Sequence, residues 1–250
     1  MFQHKKKRNL KTNASHQSLK PGNVFLRKSR GLNYLQRRIF GDGHHLAAGT
    51  IEFYNCKNIL INGITTRMPL ERTIHPVYDD NITIRNVNMQ AGVLDARNDD
   101  GIDPDSCDDV LIEECTFHNY DDVITLKSGR AGEGRPENGG RSTESIVIRN
   151  NIFHGQHNGV STGSDMAGGV RNVFIHDCRF GVDHRQMYVF NAKSDCDRGD
   201  VVEDVYFRDI KAGTCQRLIR MEMQNKNVPY DPVLHPYPPI FRNIFFENVH

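Results

Sequence analysis

The sequence predicts an all-β chain wound as a single-stranded parallel β-helix, a solenoid. Three observations carry that prediction. A short β-type segment returns seven times, and each copy is opened by Asn, Asp or Ser. The copies start about 23 to 39 residues apart, in the range of solenoid repeats and too variable for a propeller with fixed blades. No helical apolar period of comparable strength runs anywhere in the chain.

The copies begin at Asn58-Ile59-Leu60-Ile61 and Asn81-Ile82-Thr83-Ile84. Asp109-Val110-Leu111-Ile112 and Ser145-Ile146-Val147-Ile148 come next. Asn172-Val173-Phe174-Ile175, Asp204-Val205-Tyr206-Phe207 and Asn243-Ile244-Phe245-Phe246 complete the set. In each, the apolar residues at every second position share one face of a strand. One such rung cannot bury its apolar face alone; stacked rungs form a continuous core, and a repeated Asn can hydrogen-bond to the rung above and below. Ile112, Ile148 and Val173 are therefore expected in the core. An antiparallel sandwich also uses short strands, but does not require one motif to return with Asn at its start.

Residues 1–37 are read as an atypical or poorly ordered basic segment, with Lys5-Lys6-Lys7-Arg8 near its start. No apolar run comes after those lysines, so no secretory signal is read in this chain. Residues 38–250 are read as the solenoid, incomplete at one or both ends, because His250 closes a strand copy with no cap after it. The prolines between Pro229 and Pro239 fall in one long turn before the last copy, and such turns often line a groove. The chain has 32 Lys and Arg against 31 Asp and Glu. That balance gives no sign of a nucleic-acid partner, and no apolar run reaches the length of a membrane span. The six cysteines form no CxxC pair, which argues against a zinc site. Several lie in strand copies, where Cys acts as a small buried apolar residue.

The chemistry concentrates between residues 98 and 130. Asn98-Asp99-Asp100-Gly101 and Tyr120-Asp121-Asp122 flank one strand copy, and Gln156-His157-Asn158-Gly159 lies downstream. Single aspartates often only occupy turns. A set of carboxylates on neighbouring rungs can supply acid and base to one substrate.

These elements resemble glycoside hydrolase family 28, the polygalacturonases and their relatives, from about residue 38 to the C-terminus. Asn98-Asp99-Asp100-Gly101 resembles the family's Asn-x-Asp-Gly element, Asp121-Asp122 its Asp-Asp element, and Gln156-His157-Asn158-Gly159 its Gly-His-Gly element with both glycine neighbours of the histidine altered. Ser161-Thr162-Gly163-Ser164 and Gly168-Gly169-Val170 are similar to the segment after that histidine in exo-acting bacterial members. Ile74-His75-Pro76-Val77 is similar to a stretch that reaches the substrate there. The resemblance implies a right-handed parallel β-helix that hydrolyses pectin-type polysaccharide or oligosaccharide with inversion. It also implies an extracellular or periplasmic location.

On that resemblance Asp100, Asp121, Asp122 and His157 are the expected catalytic residues. Asp121 is assigned as general acid, and Asp100 with Asp122 as holders of the attacking water. His157 is expected to tune the acid; the alternative is a buried neutral histidine bonded to a turn. His75, Lys193, Asn191 and Lys127 are the expected substrate-binding residues, with an exposed rung lysine as the alternative for Lys127. The family's Arg-Ile-Lys element falls on Asn191-Ala192-Lys193, so a guanidinium fork for a sugar carboxylate is replaced by an amide. No cofactor or metal is expected, and a monomer is expected. Two alternatives stand: a carbohydrate-binding β-helix without turnover, and a pectate lyase whose aspartates would ligate calcium.

Overall fold

In the computed structural model, the described residues are 49–67, 69, 71–90, 98–223 and 237–250. The boundary expected near residue 38 and most of the proline-rich turn lie outside them. The described residues form eighteen strands and two short 3-10 turns, at Ala131–Gly134 and Pro136–Asn138.

The strands stack as successive coils with three faces. The first face carries β1 (Ile51–Tyr54), the second β2 (Lys57–Asn62), the third β3 (Thr65–Arg67). The next coil repeats this with β4 (Ile74–Val77), β5 (Asp80–Arg85) and β6 (Asn88–Gln90). In the third coil, residues 102–105 make bridges in place of a first strand, before β7 (Asp108–Glu113) and β8 (Thr116–His118). Then come β9 (Ile124–Leu126), β10 (Thr143–Arg149) and β11 (Ile152–Phe153), and β12 (Asn158–Thr162), β13 (Val170–His176) and β14 (Arg179–Phe180). The last two coils hold β15 (Gln186–Lys193) with β16 (Val201–Ala212), and β17 (Cys215–Glu222) with β18 (Ile240–Val249). The strand pairings between these coils are parallel. The expected parallel β-helix is the observed fold.

Register obeys the apolar alternation. Ile61, Ile84, Ile112, Ile148, Ile175, Phe207 and Phe246 align rung over rung on the second face. Ile112, Ile148 and Val173 are fully buried, as the alternation requires. On the third face Phe117, Phe153 and Phe180 stack at 5.2 and 4.1 Å, the aligned aromatic packing that stacked rungs allow. Burial pushes the thiols of Cys107 and Cys178 up to about 12 and that of Cys115 to about 11, so these act as small core residues.

The residue that opens every copy has a backbone reason for its identity. Asn58, Asn81, Asp109, Ser145, Asn172, Asp204 and Asn243 all take φ between 54° and 60°. Five residues later Gly63, Asn86, Glu114, Asn150, Asp177, Asp209 and Asn248 are again at positive φ. Each copy therefore has a left-handed residue at both ends, where Asn, Asp and Gly are least strained. The expected Asn ladder is present at both ends of the stack: Asn81 Nδ2 donates to Asn58 Oδ1 at 2.7 Å, and Asn243 Nδ2 to Asp204 Oδ1 at 3.0 Å.

β9, β12, β15 and β17 form one parallel sheet on the first face, and long turns leave it. Largely buried arginines brace the leaving side. Arg135 donates to Asp197 O at 2.9 Å, and Arg198 pairs with Asp165 at 2.7 Å. Among the described residues no helix is long and apolar enough to cross a membrane.

Candidate active site

The acidic elements converge because they occupy the same turn on consecutive coils. Asp99 is fully buried, and its carboxylate accepts the backbone N–H groups of Tyr120 and Asp121 at 3.2 and 2.7 Å. Burial raises Asp99 to about 6, against those stabilising bonds. Gly101 lets the turns close: a Cβ there would run into the carbonyl oxygen of Val123 on the next coil. Asp100 is thereby set one rung from Asp121 and Asp122.

The three carboxyls have different surroundings. Asp122 is 1% exposed. Lys193 Nζ lies 2.5 Å from its Oδ2, while His157 Nδ1 and the Asn158 amide each lie 2.6 Å from its Oδ1. Burial alone would raise its proton affinity, but Lys193 and His157 together carry it well below the usual carboxylate range. Asp100 goes the other way: burial and the neighbouring Asp103 push it well above that range, with Lys127 opposing. Lys127 Nζ stands 3.8 Å from Asp100 and 3.5 Å from Asp103. Asp121 is the most open of the three, its side chain 25% exposed. Its Oδ2 accepts Asn98 N–H at 2.8 Å, and its Oδ1 lies 3.2 Å from His157 Nδ1.

His157 is half-buried, and its Nδ1 faces the Asp122 and Asp121 carboxyls. Burial lowers its proton affinity, but the bond to Asp122 outweighs it and leaves it raised. Its carbonyl accepts the Gln186 amide at 2.5 Å and Met187 N–H at 2.8 Å, which fixes the turn. Lys127 is buried rather than an exposed rung lysine. Burial pulls its ammonium down, and Asp103 and Asp100 hold it above its ordinary value.

Asn191 and Lys193 share the outward side of β15, as two positions on one strand must. Asn191 is in register with Ser161 and, through it, Thr125. Thr125 Oγ1, Ser161 Oγ, Asn191 Oδ1 and Asp100 Oδ1 lack hydrogen-bond partners among the described residues. Thr125, Ser161 and Asn191 stand in register on three coils and are at most 2% exposed. His75 sits farther along the same side, 3.3 Å from Glu52 and 3.9 Å from Asp105, and so borders the cluster without entering it.

Sequence reasoning passed over Asp99, Asp103, Asn158 and Gln186. Asp103 was legible in part, since Asp103 and Asp105 alternate with inward Ile102 and Pro104. Asn158 carries its signal in an alteration: where the family element has glycine, its amide holds Asp122. The other altered glycine is Gln156, which adopts φ 121°, a conformation natural to glycine.

Residues 42–236 match the family description of glycosyl hydrolases family 28. The chain belongs to that family. It is 32% identical over 207 residues to a probable polygalacturonase of Vitis vinifera, covering 80% of this chain and 40% of that protein. The exopolygalacturonase structure of Thermotoga maritima superposes with a TM-score of 0.73 at 32% identity, over 90% of this chain and 48% of that one. The family 28 exopolygalacturonase of Yersinia enterocolitica, at 20% identity and TM-score 0.70, shares the fold over 90% of this chain and 37% of its own. The fold is thus the right-handed parallel β-helix of family 28. The chain spans less than half the length of each of these three proteins.

Proposed function

We propose that this chain carries the hydrolytic centre of a polygalacturonase-like enzyme that cleaves glycosidic bonds of pectin-type polysaccharide or oligosaccharide with inversion. The observation that carries this reading is the unlike state of the carboxyls on two adjacent coils. Asp122 is saturated by Lys193, His157 and Asn158 and stays ionised, while Asp100 holds its proton more tightly and Asp121 is the most exposed of the three. Carboxyls in unlike environments divide acid and base work between them.

In this reading Asp121 gives its proton to the leaving glycosidic oxygen, being the carboxyl a substrate can reach. Asp122 and Asp100 hold the water on the opposite face of the sugar, and as its oxygen attacks, its proton passes to Asp122, the ionised carboxylate. His157 bridges Asp121 and Asp122 and holds their spacing. Lys127 tempers the charge of Asp100. Lys193 keeps Asp122 anionic and stands beside the sugar.

The lyase alternative finds no support in the donor set. Asp121, Asp122 and His157 lie close enough to surround an ion. Yet calcium takes oxygen ligands, and both Asp122 oxygens already face cationic or amide donors. The test is a digest of homogalacturonan with chelator present, then proton NMR of the fresh product. Expected are reducing ends of inverted anomeric configuration and no unsaturated sugar. Unsaturated product would establish a lyase, and bound but uncut polymer a binding module.

A further inference from the structure

A cavity of about 300 Å³ opens on the third face beside the turns that carry Asp121 and His157. Its walls come from the segments that lead into the site. His118, Asn119 and Tyr120 immediately precede Asp121; His154, Gly155 and Gln156 immediately precede His157. None of these has a part in the hydrolytic chemistry.

The lining is polar and specific. The imidazoles of His118 and His154 stack at 3.8 Å with 15° between planes, and Gln90 pairs in register with His118. His154 Nδ1 lies 2.5 Å from Asp183 Oδ2. Asn119 is 1% exposed; its amide donates to Asp99 O at 2.6 Å, and its Oδ1 has no partner among the described residues. A buried acceptor left unpaired costs free energy until a donor meets it. Tyr120 adds a ring and Gln156 a second amide.

Metal binding does not suit this lining. Lone pairs in the planes of two stacked imidazoles run parallel and cannot converge on one ion, and His154 Nδ1 is engaged. A carboxylate ligand is also a poor match. Asp183 and the adjacent Asp121 make the surroundings acidic. Burial and the neighbouring His154 hold His118 toward its neutral form. A neutral ligand rich in hydroxyls fits best. The volume is at the low end for ligand pockets, the size class of a single sugar ring.

We propose that this cavity is an accessory subsite that takes a neutral pyranose carried on the polysaccharide chain, such as a side-branch sugar. The proposal rests on the hydrolase reading for its purpose, but its binding can be tested without catalysis. The whole chain is titrated with methyl β-D-xylopyranoside, methyl β-D-galactopyranoside and galacturonate while the imidazole resonances of His118 and His154 are tracked by NMR. The neutral glycosides are expected to shift both rings, and galacturonate to do so at least tenfold more weakly. His118→Phe keeps a flat ring on His154 but removes the nitrogens, and should weaken the neutral glycosides about tenfold. Gln90→Ala serves the same purpose should His118→Phe fail to fold. In kinetics, the preference for a galacturonan with neutral side sugars over an unbranched one should fall about tenfold in either variant. Absence of any shift, stronger shifts with galacturonate, or an unchanged preference would overturn the subsite. If the wild-type chain cuts neither polymer, the hydrolase reading fails, and the glycoside titration alone decides the subsite.

Discussion

Lys193 Nζ and Asp122 Oδ2 lie 2.5 Å apart although their residues are 71 positions apart and two coils removed. Both side chains are largely buried, at 18% and 2% exposure. Removing one partner of such a pair strands the other charge, at a cost of about 3–5 kcal/mol. Lys193→Met is therefore expected to lower unfolding free energy by that order at pH 7. A denaturant melt showing a loss under 1 kcal/mol would refute the pairing.

The same contact sets a pH dependence. Asp122 has a lower proton affinity folded than unfolded, so its contribution to stability is present above the unfolded value of about 3.9. That contribution is lost as pH falls from there toward the folded value. Asp100 has the opposite sign: its contribution is greatest below the unfolded value and is lost as pH rises. In melts from pH 3 to 7, Asp122→Asn should flatten the acid side of the stability profile. Asp100→Asn should instead remove the loss of stability that accompanies rising pH. Identical profiles in both variants would show that the two carboxyls do not differ in proton affinity.

Asp121→Asn should lower turnover by about 10²–10⁴-fold with little change in KM, since an amide cannot donate the proton to the leaving oxygen. Near-normal turnover on galacturonate oligomers would remove Asp121 from the acid role.

Asn191→Arg should raise kcat/KM on galacturonate oligomers about tenfold, or about 1.4 kcal/mol, by restoring a guanidinium beside Lys193. Arg220 lies in register with Asn191 on the next coil, where it pairs with Glu222 at 2.7 Å. An efficient wild-type enzyme whose rate is unmoved by the substitution would show that Arg220 already supplies the cation.

Ile148→Ala should cost about 2–5 kcal/mol, the range for truncating a fully buried aliphatic side chain. A change within about 0.5 kcal/mol would contradict the observed register, in which a slip of one residue would turn this column outward.

Gln156 sits at φ 121° beside His157, and a side chain held in such a region costs about 1–3 kcal/mol. Gln156→Gly should therefore raise stability by about 1 kcal/mol after the flexibility of glycine is counted. A lower melting temperature would show that the Gln156 side chain contributes more than its backbone costs.

The local repeat determined the strands. Alternation placed Ile112, Ile148 and Val173 inward, because a strand has only two faces and a solenoid core accepts one of them. The Asn, Asp and Ser that open each copy were visible too. Their main reason, a left-handed turn, is a backbone property that residue identity suggests and only coordinates display.

The acids Asp100, Asp121 and Asp122 and His157 were legible as residues, because carboxylates gathered at tight turns need a reason beyond the turn. Their proton affinities were not legible. Whether Asp122 is ionised depends on Lys193 and Asn158, and whether Asp100 keeps a proton depends on Asp103 and its burial. Asp99 and Gln186 act through turns whose closure depends on where the next coil lies. The periodic sequence determined by itself which side chains face the core. Tertiary structure decided which polar side chains meet outside it, because turns of unequal length bring residues tens of positions apart within hydrogen-bond reach, and no local pattern encodes that distance.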